Sequence, residues 1–528
     1  LYQKKPIRDV CFNKIHSMVA NINTVGNSNP IEFTVAGSTL YFQADAGTPT
    51  YTELWKVDGM GTASMVKDMN PGAGASSSPH SLVNVGGTLF FVANDGTNGD
   101  QVWKSGGTDA TTELVIFNFS AAQNVTDVNG TVFFTIADGT HGTELWKSNG
   151  TPSGTTMVKD INPGNAGSFP SNLVADGSRL FFTADDGVHG SELWVSDGTN
   201  SGTNMVKDIY PGSTGSNPSF LVVKSGRVYF QANEPMNGLE LWSSNGTLAG
   251  TAGLDIYPGV ASSTPSFLTV VGSNVLFQAE DGSHGFELFK TTDGTSFTIV
   301  KDINMGLGNS SPQNLAKIND ALYFKADDGT TGFELWKSDG TEMGTVRVAD
   351  INSGAGSSDP NDFKIIGTTI FFTADDATGT GEELWKTDGT EAGTVMVKNI
   401  NLTAGSNPRW LTVVGSTLFF QANNGILGEE LWKSDGTEAG TEYVYKLAKG
   451  YFLPTLPIEY PAQLTLFNNY IYFSSGDGTE YNNNAFNIEL WRTDGTTNGT
   501  VKMVSLNSNS IAGDKLYFRK LNNELYFL

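Results

Sequence analysis

The sequence predicts an all-β protein assembled from a repeated four-stranded unit, and three observations carry that expectation. Residues 322–351 read LYFKADDGTTGFELWKSDGTEMGTVRVADI, and close variants recur about every 48 residues along the 528-residue chain. Between the repeats' short β-branched and aromatic runs stand D-G, G-T and P-G dipeptides, which are turn chemistry. Finally, successive apolar pairs such as Phe181-Phe182 and Leu193-Trp194 send side chains to both faces of a strand. Each small sheet therefore needs a cover on both sides, most simply the neighbouring sheets.

Within a unit the elements follow in order. Strand b is expected at 322–326 and strand c at 333–337, with the Gly-rich b–c turn between them. The motif S-D-G-T-x-x-G-T turns the chain into strand d at 345–351. Strand a is clearest in the next unit, at 363–366 just before Gly367. No helical period is sustained over ten or more residues. The E-L-W motif or a variant ends at Trp55, Trp103, Trp146, Trp194, Trp242, Phe289, Trp336, Trp385, Trp432, Trp491 and Tyr526, which gives eleven copies.

Face-to-face sheets of this kind form a β-propeller or a linear stack. The termini favour a propeller. The last unit has strands like b and c but no d, whereas residues 17–23 resemble a d strand, which would close the ring by pairing with the C-terminal unit. An alternative partition follows from two irregular steps, 43 residues from Trp103 to Trp146 and 59 from Trp432 to Trp491. It gives a seven-bladed propeller plus a four-unit module made from both termini. On either reading residues 1–16 are an N-terminal extension and 17–528 the repeat region, with irregular junctions near 113–130 and 443–470.

Asp and Glu total 55 against 31 Lys and Arg, a net charge of -24. That field repels phosphate backbones and anionic membrane surfaces, so nucleic acid is not an expected partner. No apolar run is long enough to span a bilayer, and membrane insertion is not expected. Cys11 stands alone, so no disulfide can form within the chain, and its spacing to His16 fits no metal signature. The chain opens at Leu1 without an initiator Met, as a processed form or fragment would.

The stretch Glu383-Leu384-Trp385-Lys386-Thr387-Asp388-Gly389-Thr390 resembles the ELWxxDGT repeat of large bacterial secreted and surface proteins. The likeness extends over residues 17–528. It implies an extracellular or cell-surface location and an adhesin-like setting, and it brings no catalytic residues with it. The c–d turn is similar to the Asp-box hairpin of sialidase-type and sortilin-type propellers, with different spacing. Gly106, Asn149 and Asn245 stand where the motif has Asp.

Recurring polar residues read first as structure. Glu144, Glu192 and Glu334, with their counterparts, sit beside the buried Leu of strand c. A carboxylate there needs a partner, and the strand-d lysines, Lys159 and Lys207 among them, are the expected one. The unit ending at Trp103 has Gln101 for the Glu and Val115 for the Lys, as a lost ion pair would; Glu240 with Leu254 is the exception. Asp185, Asp186, Asp327, Asp328, Asp375 and Asp376 in the b–c turns are candidate Ca²⁺ ligands, although the spacing is not that of an EF-hand and capping of their own turns is the plainer expectation. His141, His189 and His284 hold matching turn positions in different sheets and read as exposed turn residues.

Where the repeat breaks, recognition is expected. The stretch 442–466 replaces the usual connector and supplies Tyr443, Tyr445, Tyr451, Phe452 and Tyr460. The following b–c turn, 476–488, is enlarged and carries Tyr481, Asn482 and Asn483. Rings and amides of this kind suit a glycan or a protein surface. The resulting expectation is a non-enzymatic binding or adhesion scaffold. A carbohydrate-active enzyme and an architectural subunit of a surface filament or coat are the alternatives.

Overall fold

The computed structural model describes residues 31–527 except 46–51, 58–62, 72–74, 98, 117–119, 380, 427–428, 446–461, 468–469, 482–484, 497–498, 507–517 and 522–523. Ten four-stranded antiparallel sheets follow one another in the chain, each in the order a-b-c-d, and a two-stranded hairpin, Phe518–Leu521 with Glu524–Phe527, comes last. Among the described residues helix is limited to three single 3-10 turns in c–d turns, Asp109–Thr111, Pro152–Gly154 and Leu248–Gly250.

Sheet 4 represents the unit. Its strands are Ser171–Asp176, Arg179–Asp185, Ser191–Ser196 and Asn204–Met205. Phe182 pairs with Trp194, and their neighbours in register, Phe181 and Val195, point the other way. Phe182 and Trp194 join Phe133 and Leu145 of sheet 3 in one core. Phe181 and Leu193 join Phe230 and Trp242 of sheet 5 in the next. The paired apolar residues thus form the alternating cores of a stack in which each sheet is buried on both faces, as the sequence pattern requires.

First strands of neighbouring sheets lie side by side through the whole series. The stacking also crosses both irregular steps. Phe90 and Val115 of sheet 2 pack with Phe134 and Trp146 of sheet 3, and Phe419 and Val444 of sheet 9 pack with Phe473 and Trp491 of sheet 10. Residues 17–23, expected to complete the last unit, lie outside the described residues.

Strand d is shorter than expected. In sheet 7 it is Val346–Ala349, because the amides of Ile351 and Asn352 turn away to bind Glu334. The enlarged b–c turn of sheet 10 is a lengthened hairpin rather than a loop: Tyr470–Tyr481 pairs with Ala485–Thr493 as far as Tyr481 opposite Ala485. Alternating strand directions give the molecule two ends. One carries the a–b and c–d turns, and the other carries the b–c turns and the d–a connectors.

Candidate functional site

Outside sheet 2, which has Gln101, strand c places one Glu at the base of the connector end, and the geometry shows what holds it. Glu192 is fully buried; its Oε1 accepts the amides of Tyr210 (3.0 Å) and Ser216 (2.9 Å), and its Oε2 accepts the Ser216 hydroxyl at 2.5 Å. Glu144 is bound in the same way by Ile161, Asn162 and Ser168, and Glu334 by Ile351, Asn352 and Ser358. The carboxylate ties down the d–a connector, whose Ser lies 23 or 24 residues further along the chain. Burial pushes the carboxyl groups of Glu53, Glu240, Glu287 and Glu383 up to about 7, against the pull of these donors. Burial raises Glu144, Glu192 and Glu334 likewise.

This corrects the expected Glu–Lys pair. Lys159 Nζ donates to the Thr203 carbonyl of the following sheet (2.7 Å) and lies 5.8 Å from the Trp194 ring. Lys207 lies 4.8 Å over Trp242. The strand-d lysines link sheets, whereas the glutamates anchor connectors. Gln101 is therefore accounted for by the connector, not by Val115: its unit leads to sheet 3 through residues 115–120, IFNFS preceded by Val115, a passage too short for the P-G-x-x-x-S connector. Glu240 needs no lysine, since Ile256 and Ser263 hold it. Lys502 does pair with Glu489 at 2.7 Å, from a different register position, opposite Trp491.

The b–c turn aspartates cap their own turns. Asp185 accepts the Gly187 amide; Asp186 accepts the amides of Val188 and His189 and the ring of His189. Asp327 caps Gly329, Asp328 takes Thr330 and Thr331 with Arg347 on its second oxygen, and Asp375 and Asp376 cap Ala377 and Thr378. No three metal-ligating side chains converge among the described residues. The candidate calcium ligands are thus turn caps, spread over separate sheets. His141, His189 and His284 are half-buried rather than exposed, each bonded through Nδ1 to the Asp three residues earlier. That bond raises each imidazole above its usual range. A cleft between sheets 7 and 8 is lined by Lys337, Arg347, Asp350 and Glu391. Its cations are already engaged, Lys337 by the Gly389 carbonyl and Arg347 by Asp328 and Asp350.

The aromatic insertion is placed only in part. Tyr443 belongs to strand d, opposite Trp432, with the two rings edge to face at 6.2 Å. Met157, Met205 and Met396 hold the same position against their tryptophans, so Tyr443 is a repeat residue and not part of an insertion. Tyr445 pairs with Leu431, and Tyr481 lies in the lengthened hairpin. Tyr451, Phe452, Tyr460, Asn482 and Asn483 lie outside the described residues.

What sequence reading missed is the start of strand a. Every described strand a has a bulge near its start, and outside sheets 3 and 10 its second residue takes positive φ: Asn172 (53°), Phe220 (54°), Phe267 (55°), Asn314 (55°), Asp362 (50°) and Trp410 (59°) among them, while in sheet 3 Asn124 (55°), further along the strand, takes that role. Polar residues suit that conformation and reach the next sheet. Asn172 Nδ2 donates to the Pro218 carbonyl, and Asp362 Oδ2 accepts the Leu411 amide. A column of Asn and Asp interrupted by aromatics was the only sequence sign of this row.

No protein-family profile matches the sequence, and no curated protein matches it. Solved structures similar to this chain include a puromycin hydrolase (16% identity, TM-score 0.28, covering 67% of this chain and 58% of that one). A puromycin-hydrolyzing peptidase of Mycobacterium tuberculosis is also among them (11%, TM-score 0.29, 78% and 60%), as is one from a study of two prolyl endopeptidases (10%, TM-score 0.30, 72% and 55%). The chain spans less than two thirds of the length of each.

Proposed function

We propose that this chain is a non-catalytic extracellular binding scaffold of the ELWxxDGT-repeat type that engages a glycan or surface protein through its connector end. The observation that carries the reading is the segregation of exposed apolar side chains. Val188, Met236 and Ile426 stand out from b–c turns, and Val260, Met305, Leu307 and Leu402 from d–a connectors. At the opposite end the exposed large apolar residues among those described are Leu248 and Met343 on c–d turns, with the less exposed Val35, Ile365 and Val395 on strand ends beside the turns. A rim of this kind on a rigid repeat marks an interaction surface.

The rim is held in place. A Cβ on Gly190, in the b–c turn, would lie 2.4 Å from the Gly215 amide nitrogen of the connector, so turn and connector touch backbone to backbone. The acidic residues recurring through the repeats serve as anchors and caps, which supports binding over turnover. Closure into a single ring of about eleven blades, with residues 17–23 completing the last, belongs to the same reading and removes the open ends of the stack.

The test is a binding screen of the whole chain on glycan and bacterial surface-protein arrays, alongside Met305→Asp/Leu307→Asp. Binding weakened in that variant, with thermal stability unchanged, is the expected result. Cleavage of an arrayed polysaccharide, or binding indifferent to the variant, would overturn it.

A further inference from the structure

Three phenylalanines, Phe220 and Phe267 at the start of strand a and Phe169 in the connector just before it, adopt a backbone that bulky residues avoid. Phe169 has φ 47°, Phe220 54° and Phe267 55°, in the left-handed region where a residue without a short polar side chain is strained. Their side chains are exposed, at 65%, 59% and 49%. Phe169 leads into sheet 4, and Phe220 and Phe267 belong to sheets 5 and 6; the first strands of these three sheets lie side by side. Trp410, at φ 59° and 40% exposed, repeats the arrangement in sheet 9.

Equivalent positions elsewhere show what the rings displace. At the bulge, Asn124 and Asn172 donate to the carbonyls of Pro170 and Pro218 in the next sheet, and Glu32 accepts the Ser81 amide. Ser78 and Ser311 stand where Phe169 does. The phenylalanines therefore combine backbone strain with loss of an inter-sheet hydrogen bond at Phe220 and Phe267, and they bury little apolar surface in return. Nothing in folding favours them there. Beside Phe267, the Oε1 of Gln278 is buried and accepts no hydrogen bond among the described residues, whereas its sheet-5 counterpart Gln231 accepts the Ser219 hydroxyl at 2.9 Å.

We propose that Phe169, Phe220 and Phe267 form a stacking ledge for a neutral polysaccharide laid across successive sheets at the connector end, with Asn172 and Asn314 flanking it. This rests on the binding reading above and names its ligand class. Rings in successive sheets with amides at both ends of the row match pyranose units, which offer an apolar C–H face and a hydroxyl edge. A surface repeating once per sheet suits a ligand that is itself a repeat. Among the described residues with positive φ at the bulge there are carboxylates and amides but no cation, and the chain's charge of -24 opposes an anionic polymer. A short row of rings ended by amides also differs from the broad apolar centre of a protein interface.

Soluble neutral polysaccharides (a mixed-linkage β-glucan, xylan and galactomannan) are the probes, titrated by affinity electrophoresis against the whole chain and Phe220→Asn/Phe267→Asn. Asparagine is the native choice at this position in sheets 3, 4 and 7, so the double variant should melt no lower than the parent, and its binding should fall at least tenfold. If that variant does not fold, Phe267→Trp keeps a ring in place, and its fluorescence should shift on titration with the polysaccharide that binds. Equal affinity in the asparagine variant, no fluorescence shift, or no binding to any of the three polymers overturns the ledge. A protein ligand lost with Met305→Asp/Leu307→Asp but kept in the asparagine variant would overturn the ledge and leave the binding function standing. Indifference of every ligand to both sets of variants removes both.

Discussion

A Cβ added to Gly202 would lie 2.1 Å from Oδ1 of Asp197, so these two residues fix each other in the c–d turn. Asp197 accepts the Thr199 amide and hydroxyl, Thr199 accepts the Gly202 amide, and Ser196 closes the turn on Thr203 at 2.7 Å. Sheet 2 reverses the arrangement. Gly106 takes the Asp position and Thr111 the Gly position, and the Thr111 hydroxyl now accepts the Thr108 amide from the opposite side. Side chain and space have changed places.

Gly202→Ala should therefore lower stability by about 1–3 kcal/mol, through overpacking and a disturbed cap. Asp197→Gly/Gly202→Thr, which copies the sheet 2 exchange, should recover most of the loss. Denaturant unfolding of the three proteins checks this. Equal stability of Gly202→Ala and the parent would show that the turn relaxes freely.

Ser216→Ala removes the hydroxyl from a buried carboxylate that keeps its amide donors. A loss of about 1–3 kcal/mol is expected, confined to the connector 206–218 because repeat units couple mainly to their neighbours. Hydrogen exchange should show the amides of Tyr210 and Ser216 exposed while strand c of sheet 7 stays protected.

Lys159→Met keeps the aliphatic stem over Trp194 and removes the donor to Thr203. Its cost should be about 1 kcal/mol or less for this half-exposed contact, and combination with Glu144→Gln should be additive. Strong coupling in that double-mutant cycle would restore the direct Glu–Lys pair which the geometry replaces.

Stability should peak in mild acid. Glu53, Glu240, Glu287 and Glu383 bind protons more tightly folded, near 7, than at their ordinary value of 4.5, so their effect favours the fold most below 4.5 and fades as pH rises through about 7. The three histidines, raised above 6.5 by their aspartates, also contribute less as pH rises. Hydrogen bonds from Thr199 hold Asp197 below its ordinary 3.8, and the Thr341 and Thr390 bonds do the same for Asp339 and Asp388. Their contribution is present above 3.8 and lost as pH falls through their lowered values. Melting temperature should therefore be greatest between about pH 4 and 6 and fall toward pH 8. A rise from pH 5 to 8 would mean that the glutamates stay ionised when folded.

Chelation should leave melting unchanged, since Asp186, Asp328 and Asp376 each turn Oδ1 to an amide of their own turn, and His189 and Arg347 take the second oxygens of the first two. A drop in melting temperature with EDTA, restored by calcium, would return these turns to the metal-binding class.

The sequence by itself determined the repeat, the four strands of each unit and the burial of both sheet faces. Those properties rest on local pattern: turn dipeptides at fixed offsets, and Phe181-Phe182 facing two ways. It also located the residues that matter, including the strand-c Glu and the strand-d Lys. Only the tertiary structure decided their partners. Glu192 meets a serine 24 residues away and Lys159 a carbonyl in the following sheet, distances at which spacing carries no signal. The left-handed bulge that exposes Phe220 and Phe267 was equally illegible, because a backbone torsion at a strand's first residues is set by how one sheet joins the next.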